Sequence, residues 1–248
     1  MRGTKRSGVA MLVLALAAML ALTGCGSVKN MLRGGGSEGN CGGIIDWVDF
    51  LMLNDVTYSH NYDGTSKIAA QQRGEKIGEV AYMLDGHACQ GHRTKNGDAS
   101  YLPVGTPIYA MIGYKPSFRV IAEGKVYEAD RNPHAKTLGD LWDIEGKIEK
   151  VSLVSGMDGS PIGDFTPDAT AFIAKSLPRL EIVGFDTIYE KHKLEYGIFL
   201  RVHLRDGTSL GLVFYEKANA FTAGAYGTEA LKKIIVSERA RIKRAAGM

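Results

Sequence analysis

The sequence predicts an α+β protein: a β-rich module, then a second module with helices on one face of an antiparallel sheet. Three observations carry this prediction. The first half holds short segments rich in β-branched and aromatic residues, with no helical period. A hairpin pattern dominates the second half, and the chain ends in a helical run. In the first half the predicted strand segments are IIDWVDFLML, KIGEVAYML, TPIYAMIGY and SFRVIAEGKVYEA. Gly124 stands between two apolar runs of the last segment, where a hairpin turn fits. Polar stretches such as HNYDGTS and RTKNGDAS supply the connecting turns. In the second half KIEKVSLVS reads as a strand. Thr166 then offers an N-cap and Pro167 the first helical position, and Pro178 ends that helix. The clearest element is IFLRVHLRDGTSLGLVFYE. Ile198, Leu200, Val202 and Leu204 alternate with Phe199, Arg201, His203 and Arg205, Asp206-Gly207 makes the turn, and Leu210, Leu212 and Phe214 return. A final helix is expected from about Gly227. The boundary between the two modules is expected near residue 136, giving segments 44–136 and 137–248.

The segment before these modules reads as an address. Arg2, Lys5 and Arg6 precede the apolar run VAMLVLALAAMLAL, which is shorter than the roughly 20 residues a transmembrane helix needs. Residues 1–24 therefore read as an export signal. Leu22-Thr23-Gly24-Cys25 resembles the lipobox of bacterial lipoproteins. That resemblance implies a diacylglyceryl anchor on Cys25, which becomes the mature N-terminus on the extracytoplasmic face of the cell membrane. Two acyl chains lie in the regime of stable attachment. Residues 25–43 are Gly-rich and read as a flexible tether.

Export also resets the charge balance. The signal holds three of the 30 basic residues and none of the acidic ones, so 27 basic face 27 acidic side chains in the remainder. No net charge then favours nucleic acid or a general polyanion. The C-terminal stretch LKKIIVSERARIKRAAGM is nonetheless basic, and it reads as a solvated helix end rather than a membrane-surface face.

The runs GDASYLPVGTPIYAMIGYKPSFRV and VSLVSGMDGSPIGDFTPDATAFIAKSL, together with the DG hairpin, resemble uncharacterised cell-surface lipoproteins of bacillus-type Gram-positive bacteria. The shared pieces are LPxGTxIY, GYxxxFR and the hairpin. What the resemblance implies is a fold arrangement and a location, with no substrate and no functional residues.

Candidate chemistry centres on DGHACQGH, where His87, Cys89 and His92 are competent ligands for zinc or copper. Their setting is a loop, and their order fits neither paired-cysteine zinc patterns nor haem attachment. With Cys25 lipidated, Cys41 and Cys89 remain; they either form a disulfide closing a loop of nearly fifty residues, worth about 4 kcal/mol, or stand as separate thiols. Gly207-Thr208-Ser209-Leu210-Gly211 fits GxSxG in letters only, because Ser209 opens a return strand rather than a strand-to-helix turn. His203 reads as an exposed strand histidine. The carboxylates Asp140, Asp143, Glu145, Glu149, Asp158, Asp164 and Asp168 read as turn and cap residues. The aromatics Tyr101, Tyr109, Tyr114, Phe118 and Tyr127 read as core or cross-strand pairs. No phosphate-binding glycine loop or dinucleotide fingerprint is present, and no cofactor beyond the lipid is expected. The expectation is a non-catalytic, membrane-anchored lipoprotein binding an envelope component, a partner protein or a small molecule. The alternatives are a metal-binding protein using His87, Cys89 and His92, or a sensor or regulator of a membrane signalling partner.

Overall fold

Fourteen short strands and four α-helices build the described part of the chain, and strand exceeds helix. The computed structural model describes residues 46–62, 64, 70–89, 91–194 and 196–248. The expected export signal, Cys25, the expected tether and Cys41 lie outside the described residues.

The first sheet has eight strands: β1 (Phe50–Leu53), β2 (Val56–His60), β3 (Arg73–Glu79), β4 (Tyr82–Met83), β5 (Asp98–Ala99), β6 (Pro107–Met111), β7 (Arg119–Ala122) and β8 (Lys125–Arg131). Their order is β3-β6-β7-β8-β2-β1-β5-β4, antiparallel except for the β4–β5 pair. The expected hairpin at Gly124 is present. Glu123 and Gly124 both adopt left-handed φ values, 48° and 71°, as the tightest hairpin turns require. Asn54 and Asp55, at 51° and 63°, turn β1 into β2 in the same way, using residue types that tolerate this region.

The second sheet has six strands: β9 (Ile148–Val154), β10 (Pro161–Asp164), β11 (Gly197–Leu204), β12 (Ser209–Tyr215), β13 (Ala220–Phe221) and β14 (Ala225–Tyr226). They run in the order β10-β9-β11-β12-β13-β14. The expected hairpin pairs Ile198 with Phe214 through to His203 with Ser209. Its alternation is realised as drawn, with Ile198, Leu200, Val202, Leu204, Leu210, Leu212 and Phe214 buried. Each such side chain contributes about 1.5–3 kcal/mol by leaving water.

Between and after the strands lie α1 (Leu138–Leu141), α2 (Pro167–Ser176), α3 (Phe185–Lys191) and α4 (Glu229–Ala245). The Thr166 hydroxyl caps α2 by accepting from the Ala169 amide, Pro167 sits in the first turn, and Pro178 opens a 3₁₀ turn where α2 stops. Helix α2 packs on β9 and on α4, which in turn contacts β10. Glu238 of α4 ties the two helices together: its carboxylate accepts from the Thr166 amide and hydroxyl, each at 3.0 Å, and from Arg241.

The expected boundary near residue 136 falls between β8 and α1. The apolar core does not stop there: one cluster runs from Leu51, Tyr58 and Phe118 through Trp142 to Leu200, Phe214 and Ile242. Ile45–Met248 accordingly forms one compact unit.

Candidate functional site

The GYxxxFR stretch and the DG turn of the hairpin meet at a buried arginine. Arg119, the last residue of the GYxxxFR motif, has 0% of its side chain exposed. Its guanidinium donates to Glu128 from two nitrogens, Nε at 2.8 Å, and its Nη1 donates to the Thr208 hydroxyl at 2.6 Å. Thr208 belongs to the DG turn of the second sheet. Its hydroxyl donates to Asp206, which also accepts from Tyr114 at 2.8 Å. The rings of Tyr114 and Phe118 lie 4.5 and 4.9 Å from the guanidinium carbon, adding cation–π contacts. Burial pushes the Tyr114 hydroxyl up to about 12, with the bond to Asp206 acting in the same direction. Burial also raises Asp206, but hydrogen bonds from Thr208 and Tyr114 outweigh it and hold that carboxyl below its ordinary value. GYxxxFR and the hairpin turn thus form one inter-sheet lock.

A second tie lies beside the first. The Asn61 amide side chain donates to the Ser209 carbonyl at 2.7 Å, and the Ser209 amide donates to the Gly64 carbonyl at 2.9 Å. Ser209 is therefore a buried residue at the start of the return strand, as its position in the hairpin predicts, and its backbone docks on the segment that follows β2.

Between these ties and the sheets opens a cleft of about 360 Å³. Ser59, His60, Asn61 and Tyr62 line it from the end of β2, Glu128 and Asp130 from β8, and Arg201, Gly211 and Thr222 from the second sheet, with Trp142 alongside. Glu128 and Asp130, two apart on one strand, share a face. Burial raises the carboxyl of Glu128 above its ordinary value despite the opposing charge of Arg119. Burial also raises Asp130, against the hydrogen bond that Ser59 donates to it. Asp130 keeps solvent contact while crowded by protein, the condition of a group on the wall of a concave site.

Behind the cleft lies Asp49, 4% exposed. It accepts from Tyr127 at 3.0 Å and Tyr62 at 3.4 Å, and Lys125 stands 3.6 Å away. His60 Nδ1 approaches the same carboxylate at 3.2 Å without hydrogen-bond alignment. Burial lowers the His60 imidazole below its ordinary value, outweighing the pull of Asp49. None of this was legible in the sequence, where no spacing joins residues 49, 60, 62, 125 and 127.

The described residues of DGHACQGH occupy a loop, as expected, but do not converge. His87 Nδ1 is bonded to the Asp85 carbonyl at 2.8 Å, and His92 Nε2 to buried Asp98 at 2.7 Å. Both rings contact Tyr82, His92 stacked at 5.5 Å and His87 edge-on at 6.3 Å. Cys89 is disulfide-bonded. Among the described residues no group of three or more His, Cys, Asp or Glu is placed to hold a metal ion.

His203 differs from its expected exposed setting: it is half-buried, with Nε2 2.9 Å from the Ser152 hydroxyl. Ser152 donates its single proton to Asp164 at 2.6 Å, so His203 must be the donor to Ser152. That order is the reverse of an activated serine, which gives its proton to the imidazole. Asp164, held low by Ser152 and Lys150, completes a structural cluster. Asp140 and Asp158 serve caps and turns, Asp140 accepting from the Lys136 and Thr137 amides and Asp158 from the Ser160 amide.

Burial lowers both His60 and His203. The folded state then binds fewer protons than the unfolded chain just below pH 6.5, so these two groups make stability fall as pH drops through that window. Glu128 and Asp130, raised by burial, act with the opposite sign. The melting temperature of a His60→Gln/His203→Gln variant is expected to fall less steeply than that of the parent between pH 6.5 and about 5, above the ordinary carboxylate range. Parallel slopes would remove the two histidines from the acid response.

Comparison with known proteins finds no matching family model, no matching curated protein and no matching solved structure.

Proposed function

We propose that this chain is an extracytoplasmic lipoprotein, held at the membrane by a diacylglyceryl group on Cys25, whose folded part binds a small polar ligand in the inter-sheet cleft. The observation that carries the binding reading is the pair Glu128 and Asp130 in one cleft, both raised by burial and each already engaged by a neighbour, Arg119 or Ser59. A carboxylate has about four acceptor sites, so each of the two keeps capacity for a ligand bringing hydroxyl or ammonium groups. Their fixed partners suit recognition better than proton transfer, which supports a non-catalytic role. A cleft at the junction of two sheets with a few convergent polar groups is also the usual setting of a ligand site. With Cys25 acylated, Cys41 is the partner that remains for Cys89, and their bridge would fasten the tether to the first sheet.

The test is calorimetric titration with amino alcohols and amino sugars, glucosamine first. Glucosamine is expected to bind the parent chain, and Asp130→Asn to weaken it at least tenfold, equivalent to about 1.4 kcal/mol. Absence of binding across the series, or equal affinity in Asp130→Asn, would overturn the reading.

A further inference from the structure

A second cleft, of about 600 Å³, opens between α2, the start of β9 and the β11–β12 turn, and it shares no wall residue with the inter-sheet cleft. Every residue on its wall belongs to the described part of the chain. Helix α2 contributes Pro167, Thr170, Ala171 and Ala174, which follow one stripe at helical spacing and are small enough to leave the space open. The floor is apolar: Ile148 and Phe165 are 6% and 5% exposed. Thr170 is 7% exposed, and its hydroxyl has no hydrogen-bond partner among the described residues. A helical threonine divides between two χ1 rotamers, so this hydroxyl can trade places with its neighbours on Cβ and offer a donor and an acceptor to whatever fills the cleft.

Six charged side chains surround the floor. Lys150 and Asp164 are paired with each other at 2.9 Å. The other four are Glu145 and Glu149 beside β9, Lys175 in the last turn of α2 and Arg205 at the β11–β12 turn. None of these four forms an ion pair with a described residue, and Glu149 reaches His203 through its field alone. Opposite charges therefore stand on different walls without contact. An occupant carrying a single charge would meet repulsion as well as attraction here, whereas one carrying both signs can pair with each wall.

We propose that this cleft binds a short peptide with free termini, its ammonium group toward Glu145 and Glu149 and its carboxylate toward Lys175 and Arg205. A single amino acid holds both charges on one carbon, while a di- or tripeptide spreads them from wall to wall. The guanidinium of Arg205 can take a terminal carboxylate by two parallel hydrogen bonds. Peptide N–H and C=O groups supply the partner that the Thr170 hydroxyl lacks, and an apolar side chain covers Ile148 and Phe165. The volume lies within the range of small-molecule sites.

The experiment titrates the tripeptides Ala-Leu-Ala and Ala-Phe-Ala, with free termini, into the full chain in neutral detergent micelles. Amide resonances of Ile148 and Ala174 report on this cleft, and that of Gly211 on the inter-sheet cleft. The first two are expected to shift and Gly211 to stay unmoved. N-acetylation and C-amidation of the peptides are each expected to weaken binding about fivefold, because each removes one charge. Arg205→Gln is expected to weaken binding of the free peptides about threefold and to leave the amidated forms unchanged; Glu149→Gln is expected to do the same with the acetylated forms in their place. No shift at Ile148 and Ala174, equal binding of free and blocked peptides, or equal losses for free and amidated forms in Arg205→Gln would overturn the proposal.

Discussion

Replacing Arg119 with alanine is expected to destabilise the fold by about 3–5 kcal/mol, the range for breaking a buried ion pair by removing one partner. The reason lies in what stays behind. Glu128 would keep its burial and lose both guanidinium donors, Thr208 would lose a donor, and the rings of Tyr114 and Phe118 would face a void. Denaturant unfolding followed by far-UV circular dichroism reads the change as a lower midpoint. Arg119→Met with Glu128→Leu is expected to recover much of the loss, because an apolar pair of similar volume leaves no unpaired charge. If Arg119→Ala lowered stability by less than 1 kcal/mol, the lock would be an accessory contact rather than the joint between the sheets.

Changing Cys25 to alanine is expected to move the protein from the membrane pellet to the soluble fraction or to leave it unprocessed with its signal attached. The expectation follows from the anchor chemistry. Each buried methylene contributes about 0.8 kcal/mol, so two acyl chains on Cys25 would hold the chain firmly. No helix among the described residues is long and apolar enough to cross a membrane, so nothing described there would replace the lipid as a helical span. Cell fractionation with alkaline washing separates the outcomes, and mass spectrometry of the pellet distinguishes an uncleaved signal from a mature chain. Mature Cys25→Ala protein held as firmly as the parent would refute lipid anchoring.

What the sequence made legible was local. The DG hairpin, the Gly124 turn, the Thr166-Pro167 helix start and the Pro178 stop are each set by residues within a few positions, and each is found where the pattern places it. The short helix α3 and the two-residue strands β5, β13 and β14 were not legible, because so few residues carry no period. The site was illegible for a different reason. Arg119 and Thr208 are 89 positions apart and Asp49 and Tyr127 are 78 apart, so only the packing of the sheets brings them together. DGHACQGH misleads in the opposite sense: its close spacing suggests convergence, while hydrogen bonds to Asp85 and Asp98 orient its two histidines separately.

Gly211 lies opposite Arg201 on the cleft side of the hairpin, and a β-carbon built there meets nothing within 4 Å. The floor of the cleft is therefore a vacant square in an otherwise occupied board. A side chain added at this one position would reshape the pocket without disturbing the lock beside it. On the proposed ligand-binding reading, position 211 is the place to retune selectivity or to attach a reporter without touching what holds the sheets together.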